Sequence, residues 1–141
     1  MLIRLTYLSK ATRDMNMQDI QDIQDILTVA RDNNQGLEIC GMLCYDQRYF
    51  LQTLEGPRDD VNELFLEIAD DPRHDDVVII GYEYIDATTF GSWDMGFAPA
   101  TDAFYKLLND VGQNSFDPRA LTPEQAVSFL SGLSEQHQTN N

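Results

Sequence analysis

Basic residues are scarce in this chain: nine Lys and Arg stand against 24 Asp and Glu, a formal charge of −15 over 141 residues. Such a balance repels a polyphosphate backbone, and the few basic side chains are scattered singly, which argues against nucleic acid as a direct partner. Long apolar runs are also missing. No stretch approaches the roughly 20 residues of a membrane span, and the N-terminus enters a strand pattern without the basic-then-apolar signature of a signal peptide. These features predict a cytoplasmic protein with no membrane partner. Imidazoles and thiols are few: His74, His137, Cys40 and Cys44. Two cysteines four apart on a strand lie about 13 Å apart, too far for a disulfide, and so dispersed a set argues against a zinc site. Small buried thiols are the simpler reading. A glycine-rich anion loop with an adjacent arginine is absent as well, which counts against an enzyme of the acylphosphatase type.

What remains is a chain the size of one domain, 43% hydrophobic and able to bury roughly two-thirds of its unfolded surface. Apolar periodicity predicts a strand over 2–8, an amphipathic helix over 17–34, strands over 39–45 and 49–55 joined by the turn Asp46-Gln47-Arg48, a helix after Gly56-Pro57, and a central strand over 77–85. Proline suits the first turn of the second helix, whose buried face is Val61, Leu64, Phe65 and Ile68. Residues 70–76 read as a turn, and a last strand lies near 93–98. The order β-α-β-β-α-β with one further strand predicts an α+β, ferredoxin-like sheet with two helices on one face. Beyond it, 103–111 reads as a short helix, and Thr122-Pro123-Glu124-Gln125 opens another through Leu133 with Thr122 as N-cap. This C-terminal pair is expected to cap the open face, with 136–141 a polar tail.

The most telling residue is Gln52, set among apolar neighbours in Phe50-Leu51-Gln52-Thr53-Leu54-Glu55-Gly56. Alternate residues of a strand share a face, so Phe50, Gln52 and Leu54 point into one core. A buried carboxamide must be hydrogen-bonded or cost about 1–3 kcal/mol. Tyr7, on a face with Ile3 and Leu5, is a phenol able to donate or accept. In the first helix Ile23, Leu27, Ala30 and Asn34 form a stripe that ends in an amide. By themselves these features have plain readings: a satisfied buried amide, helix C-terminal asparagines at 33 and 34, a solvated Arg73-His74 turn, and core residues at Trp93 and Met95.

In order and at ordinary spacing, the chain shows Leu5-Thr6-Tyr7-Leu8-Ser9, Asn33-Asn34, Ile39-Cys40-Gly41-Met42-Leu43, the Gln52 segment, Asp71-Pro72-Arg73-His74 and Phe90-Gly91-Ser92-Trp93-Asp94-Met95. This set resembles the BLUF domain, the flavin-binding blue-light sensor of bacteria and some protists. The resemblance spans residues 1–98, and 99–141 resemble the helices and tail that cap the sheet in short, single-domain members. It implies non-covalent FAD with its isoalloxazine ring between the two core helices. Tyr7 would give an electron and proton to the excited ring, and Gln52 would bridge Tyr7 to the ring edge, rotating or tautomerising as they return. Asn34, beside Asn33, would bond the ring from the first helix, and Arg73 its pyrimidine end, with Asp71 and His74 nearby. Ser9 would lie close to Tyr7. Trp93 and Met95 match the pair that compete for the place beside Gln52.

The chain departs from the pattern at Cys40, where many relatives carry threonine. It also carries no recognisable effector region, so output is expected to pass to an unidentified downstream protein or through a homo-oligomer, a dimer or larger, with no enzymatic activity of its own. The competing reading is a ferredoxin-like ligand-binding or assembly module without flavin photochemistry.

Overall fold

Apolar patterning in the first two-thirds of the chain produces a sheet with helices packed on each face. The computed structural model describes residues 1–33, 38–91 and 95–139, with the side chains of all these except 28–33 and 137–139. Strands β1 (Leu2–Ala11), β2 (Cys40–Asp46), β3 (Tyr49–Pro57), β4 (His74–Ile85) and β5 (Gly96–Ala98) form one sheet in the order β4-β1-β3-β2-β5. Neighbours are antiparallel except β2 and β5, which run parallel. Helices α1 (Met17–Asn33) and α2 (Arg58–Ala69) connect the first four strands; α3 (Asp102–Asp110) and α4 (Pro123–Thr139) follow. The fold is the expected ferredoxin-like α+β arrangement.

Each face has its own core. The front, under α1 and α2, collects Ile3, Leu5, Tyr7, Leu27, Leu54, Val61, Leu64, Ile68 and Met95. The back, under α3 and α4, collects Leu8, Met42, Cys44 and Leu51 from the strands with Phe104, Leu108, Phe116, Phe129, Leu130 and Leu133. Phe104 meets Phe116 and Phe129 edge-on at 5.4 and 5.0 Å, a favoured geometry for aromatic rings. The capping pair therefore lies where the sequence predicts it.

Local chemistry explains the element ends. Asn16 Oδ1 accepts from the Asp19 N–H while Asp19 Oδ2 accepts from the Asn16 N–H. Thr122 and Gln125 do the same at α4, a reciprocal arrangement that satisfies otherwise orphaned donors. The β2–β3 hairpin turns on Gln47 and Arg48, at φ 52° and 69°, the mirror-image turn that matches strand twist. Gly41 is required by close approach: a Cβ there would sit 2.2 Å from the Thr53 carbonyl oxygen.

Four expectations need correction. The strand over 77–85 is not central but an edge, and Val78, Ile79, Tyr82 and Tyr84 are exposed. Its apolar run mimics a buried strand because only β1 covers one side of it. Residues 74–76 belong to β4 rather than to a turn, since β1 continues to Ala11 and pairs it with His74. The register slips near Asp76, which has φ 51°, and a bulge of this kind discourages pairing with a further strand. Pro57 ends β3 and stands at the N-cap of α2, which begins at Arg58. Finally, α4 runs past Leu133 to Thr139, so much of the expected tail is helical.

Among the described residues no helix is long and apolar enough to cross a membrane, and no cluster of three potential metal ligands is found. Because the aromatic back core is closely packed, Phe129→Ala should lower unfolding free energy by about 3–5 kcal/mol. Tyr84→Lys on the exposed edge should change it by no more than about 0.5 kcal/mol. Urea denaturation of the two variants measures both.

Candidate functional site

The antiparallel register sets Tyr7 directly opposite Gln52. Both are buried in the middle of the sheet, on its front face. The Tyr7 hydroxyl donates to Gln52 Oε1 at 2.5 Å, and Gln52 Nε2 donates to Met95 Sδ at 3.0 Å. The amide's orientation follows from donor chemistry: a thioether only accepts, so the NH2 group faces Met95 and the carbonyl faces the phenol. Met95 is held by its backbone too, since Gln24 Nε2 on α1 donates to its carbonyl oxygen. These bonds use one lone pair and one N–H of Gln52; a second of each remains, among the described residues, for a ligand.

Beside this chain of bonds lies a cleft between α1 and α2. Tyr7, Leu43, Phe50 and Gln52 line it from the strands, Ile23, Ile26 and Leu27 from α1, and Ile68 with Glu67 from α2. Asp71, Arg73 and His74 line it as well. An apolar slot with few polar groups among its lining residues suits a flat heteroaromatic ring.

Burial, and secondarily the Asp71 carboxylate, push the Tyr7 phenol well above its ordinary range, so it is a neutral O–H donor at physiological pH. The Arg73 guanidinium grips Asp71 through Nε (3.0 and 3.2 Å) and Nη2 (2.8 Å). This hydrogen bonding holds the Asp71 carboxyl below the usual carboxylate range and raises the guanidinium. His74 Nε2 lies 2.6 Å from the Ile68 carbonyl oxygen and Nδ1 lies 2.8 Å from Ser9 Oγ. A carbonyl only accepts, so Nε2 carries hydrogen, and Nδ1 pairs with the Ser9 hydroxyl. Phe65 closes edge-on against Tyr7 at 5.3 Å.

The family model described as BLUF, sensors of blue-light using FAD, matches residues 2–96. The chain belongs to the BLUF family. It is 43% identical over 137 residues to photoactivated adenylate cyclase subunit alpha of Euglena gracilis, covering 92% of this chain and 13% of that protein. The chain thus spans a small fraction of the length of such relatives. The structure titled BlsA photo-activated state covers 95% of each chain at 34% identity and a TM-score of 0.79. The dark-state structure of BlrB, a BLUF protein, covers 96% of each at 29% identity and a TM-score of 0.78. As a BLUF domain the chain is a flavin-binding blue-light sensor.

The BLUF fold brings together Tyr7, Gln52, Met95, Asp71, Arg73 and His74. Ser9 is fully buried and reaches the site through His74. Asn34 and Trp93 lie outside the described residues, and Asn33 is described only in its backbone, the last residue of α1. Sequence reasoning assigned no role to Gln24 or to Glu55. Gln24 carries no signal beyond lying one turn from Leu27, while Glu55 carries one in the strand register, since pairing Tyr7 with Gln52 also pairs Arg4 with Glu55.

Asp71 is ionised more readily in the folded chain than in the unfolded one. Its contribution to stability is present above an ordinary carboxylate pKa of about 4 and is lost as pH falls through its lowered value. Acid titration of thermal stability should show this loss in the wild type, and Asp71→Asn should remove it; an unchanged acid limb in Asp71→Asn would contradict the Arg73 fork.

Proposed function

We propose that the flavin is FAD, held without a covalent bond in the cleft between α1 and α2, and that Tyr7, Gln52 and Met95 are the residues through which this BLUF domain responds to blue light. Bound flavin supplies blue-light absorption and, once excited, acceptance of an electron and a proton. The continuous Tyr7–Gln52–Met95 hydrogen-bond chain on the cleft wall carries this reading.

Tyr7 is the donor because it is neutral, shielded from water and already directs its O–H at Gln52 Oε1. Gln52 is the switch. Rotating its amide sets the carbonyl against Met95 Sδ, two acceptors face to face, and the NH2 against the phenol. Tautomerising it turns Oε1 from an acceptor into a donor. Either change ends the present match at Tyr7. Arg73, fixed by Asp71, offers a cation to the polar end of the ligand, and His74 is held in one orientation by Ser9 and Ile68. Asn34, with Asn33, would serve the ring from α1. Trp93 would compete with Met95 for the place beside Gln52.

Residues 1–98 would constitute the flavin-binding sensor, and 99–141 the cap through which output leaves. With a strongly acidic composition and no catalytic constellation among the described residues, we infer that the chain works in the cytoplasm without enzymatic activity of its own. It would act on a downstream protein or through contacts between copies of itself, and not on nucleic acid or membrane. Any rearranged bond at Gln52 reaches Met95 first and β5 one residue later, so the cap is a short step away.

The purified protein should be yellow and contain FAD on extraction, and blue light should shift its visible bands slightly to the red with full recovery in darkness. Tyr7→Phe and Gln52→Leu should each abolish the shift while retaining flavin, and Asn34→Ala should mainly weaken binding. A colourless protein that refuses added FAD, or a normal photocycle in Tyr7→Phe, would overturn the assignment.

Amide exchange supplies a separate check. Light should alter protection at 95–98 and in α3 and α4 more than in α2, and Met95→Ala should preserve the spectral shift but blunt that response. Identical protection across 95–135 in darkness and light would place the output elsewhere.

A further inference from the structure

Three residues along β3 from Gln52, on the opposite face of the strand, Glu55 is a fully buried carboxylate. Removing a charge from water costs several kcal/mol unless it is well paired, and Glu55 is surrounded by donors. Arg4 reaches it through Nε at 2.9 Å and Nη2 at 2.8 Å. The backbone N–H of Thr89 donates to both oxygens, at 2.8 and 3.1 Å, and that of Phe90 donates at 2.8 Å. Arg4 also donates to Thr89 Oγ1 at 2.6 Å and to Glu83 at 2.5 Å. One buried ion pair thus ties the end of β4 to Thr89 and Phe90 within the β4–β5 connection.

The connection leads to Met95. Phe90 is fully buried in the back core, whereas Met95, five residues on, belongs to the front core. Phe90 is held by Glu55 and Met95 by Gln52. Both anchors are on β3, three residues or about 10 Å apart along the strand. An apolar pair in place of Arg4 and Glu55 would fill the same space, but it would offer no acceptor to the Thr89 and Phe90 N–H groups.

We propose that Glu55, oriented by Arg4, is a positioning residue that presents Met95 Sδ to the Gln52 amide. By fixing Thr89 and Phe90, a few residues before Met95, it sets how firmly the thioether meets Nε2, and through that the preference of the amide for one arrangement and the lifetime of the light-induced state. This inference rests on the assignment of Tyr7, Gln52 and Met95 as the light-responsive set.

The test compares Glu55→Ala, Glu55→Gln and Arg4→Gln with Phe129→Leu, which loosens the same back core without touching the ion pair. Two quantities are read: the dark recovery rate after blue light, and the position of the Met95 methyl signal in darkness, labelled with 13C-methionine and assigned by its loss in Met95→Leu. Glu55→Ala should change the recovery rate by at least about fivefold and move the methyl signal. Glu55→Gln, which keeps one acceptor oxygen, and Arg4→Gln should have smaller effects of the same sign. Phe129→Leu should leave the rate within about twofold despite its lower stability.

If Glu55→Ala does not fold, Glu55→Gln decides by the same measures. An unmoved methyl signal with an unchanged recovery rate overturns the proposal, as does an effect of Phe129→Leu equal to that of the Glu55 variants. Should the wild type show no light-induced shift at all, the photochemical assignment fails, while the dark methyl signal still decides whether Glu55 positions Met95.

Discussion

A carboxamide sealed inside a sheet has to be bonded at both of its ends, and the arrangement around Gln52 follows from that requirement. Its strand, β3, has β1 on one side and β2 on the other, so neither water nor a flexible loop can reach the amide from the sheet edge. The carbonyl end is met by Tyr7 across the β1 register and the amino end by Met95. Setting Tyr7 opposite Gln52 then fixes every other pair of the two strands, including Thr6 with Thr53, whose hydroxyls meet at 2.8 Å, and Arg4 with Glu55. The front of β3 carries the switchable amide and the back carries the buried charge. A slip of one residue would exchange the two faces and destroy both.

The two ends of the amide differ greatly in what they gain from their partners. The phenol bond lies where the local dielectric is low, which strengthens it. The bond to sulfur is weaker, because a thioether is a poor acceptor. An amide held strongly at its carbonyl and weakly at its amino group can exchange arrangements when the strong bond alone is disturbed. A ligand or light can shift such an equilibrium only through differential contacts, and a small gap between states makes modest contacts sufficient. The surrounding structure is stiff by comparison: α2 and the interlocked phenylalanines of the back core leave the change few directions in which to spread.

Much of this was legible in the sequence wherever a periodic pattern coincided with a single structural solution. Apolar patterning revealed the four long strands and the paired faces, residue type revealed the Thr122 cap, and the isolated Gln52 pointed to a polar partner in β1. Pattern failed where exposure and coverage diverge. The apolar run of β4 belongs to an edge strand, because hydrophobicity reports what a residue tolerates and not how many neighbours the topology provides. The extension of β1 to Ala11 was hidden because Ser9 and Lys10 break its apolar alternation, yet it places His74 in a strand and so beside Ser9. The role of Glu55 was recoverable from the register once Tyr7 and Gln52 were paired. The bond from Gln24 to Met95 was not, since it depends on where α1 lies over β5.

The short strand β5 joins the two halves of this architecture. Met95 belongs to the front core, Phe97 packs near Phe50 and Leu43 on the same face, and Ala98 is buried in the back core against the C-terminal helices. β5 is bound to β2 over only three residue pairs, Met42 with Gly96 through Cys44 with Ala98. So brief a ladder resists displacement far less than the nine-pair junction of β1 and β3. Because peptide geometry transmits a shift from one residue to the next, a movement of Met95 cannot stay at the amide unless the ladder absorbs it. It has little capacity to do so, and the next buried groups along the chain are those against which α3 and α4 are packed.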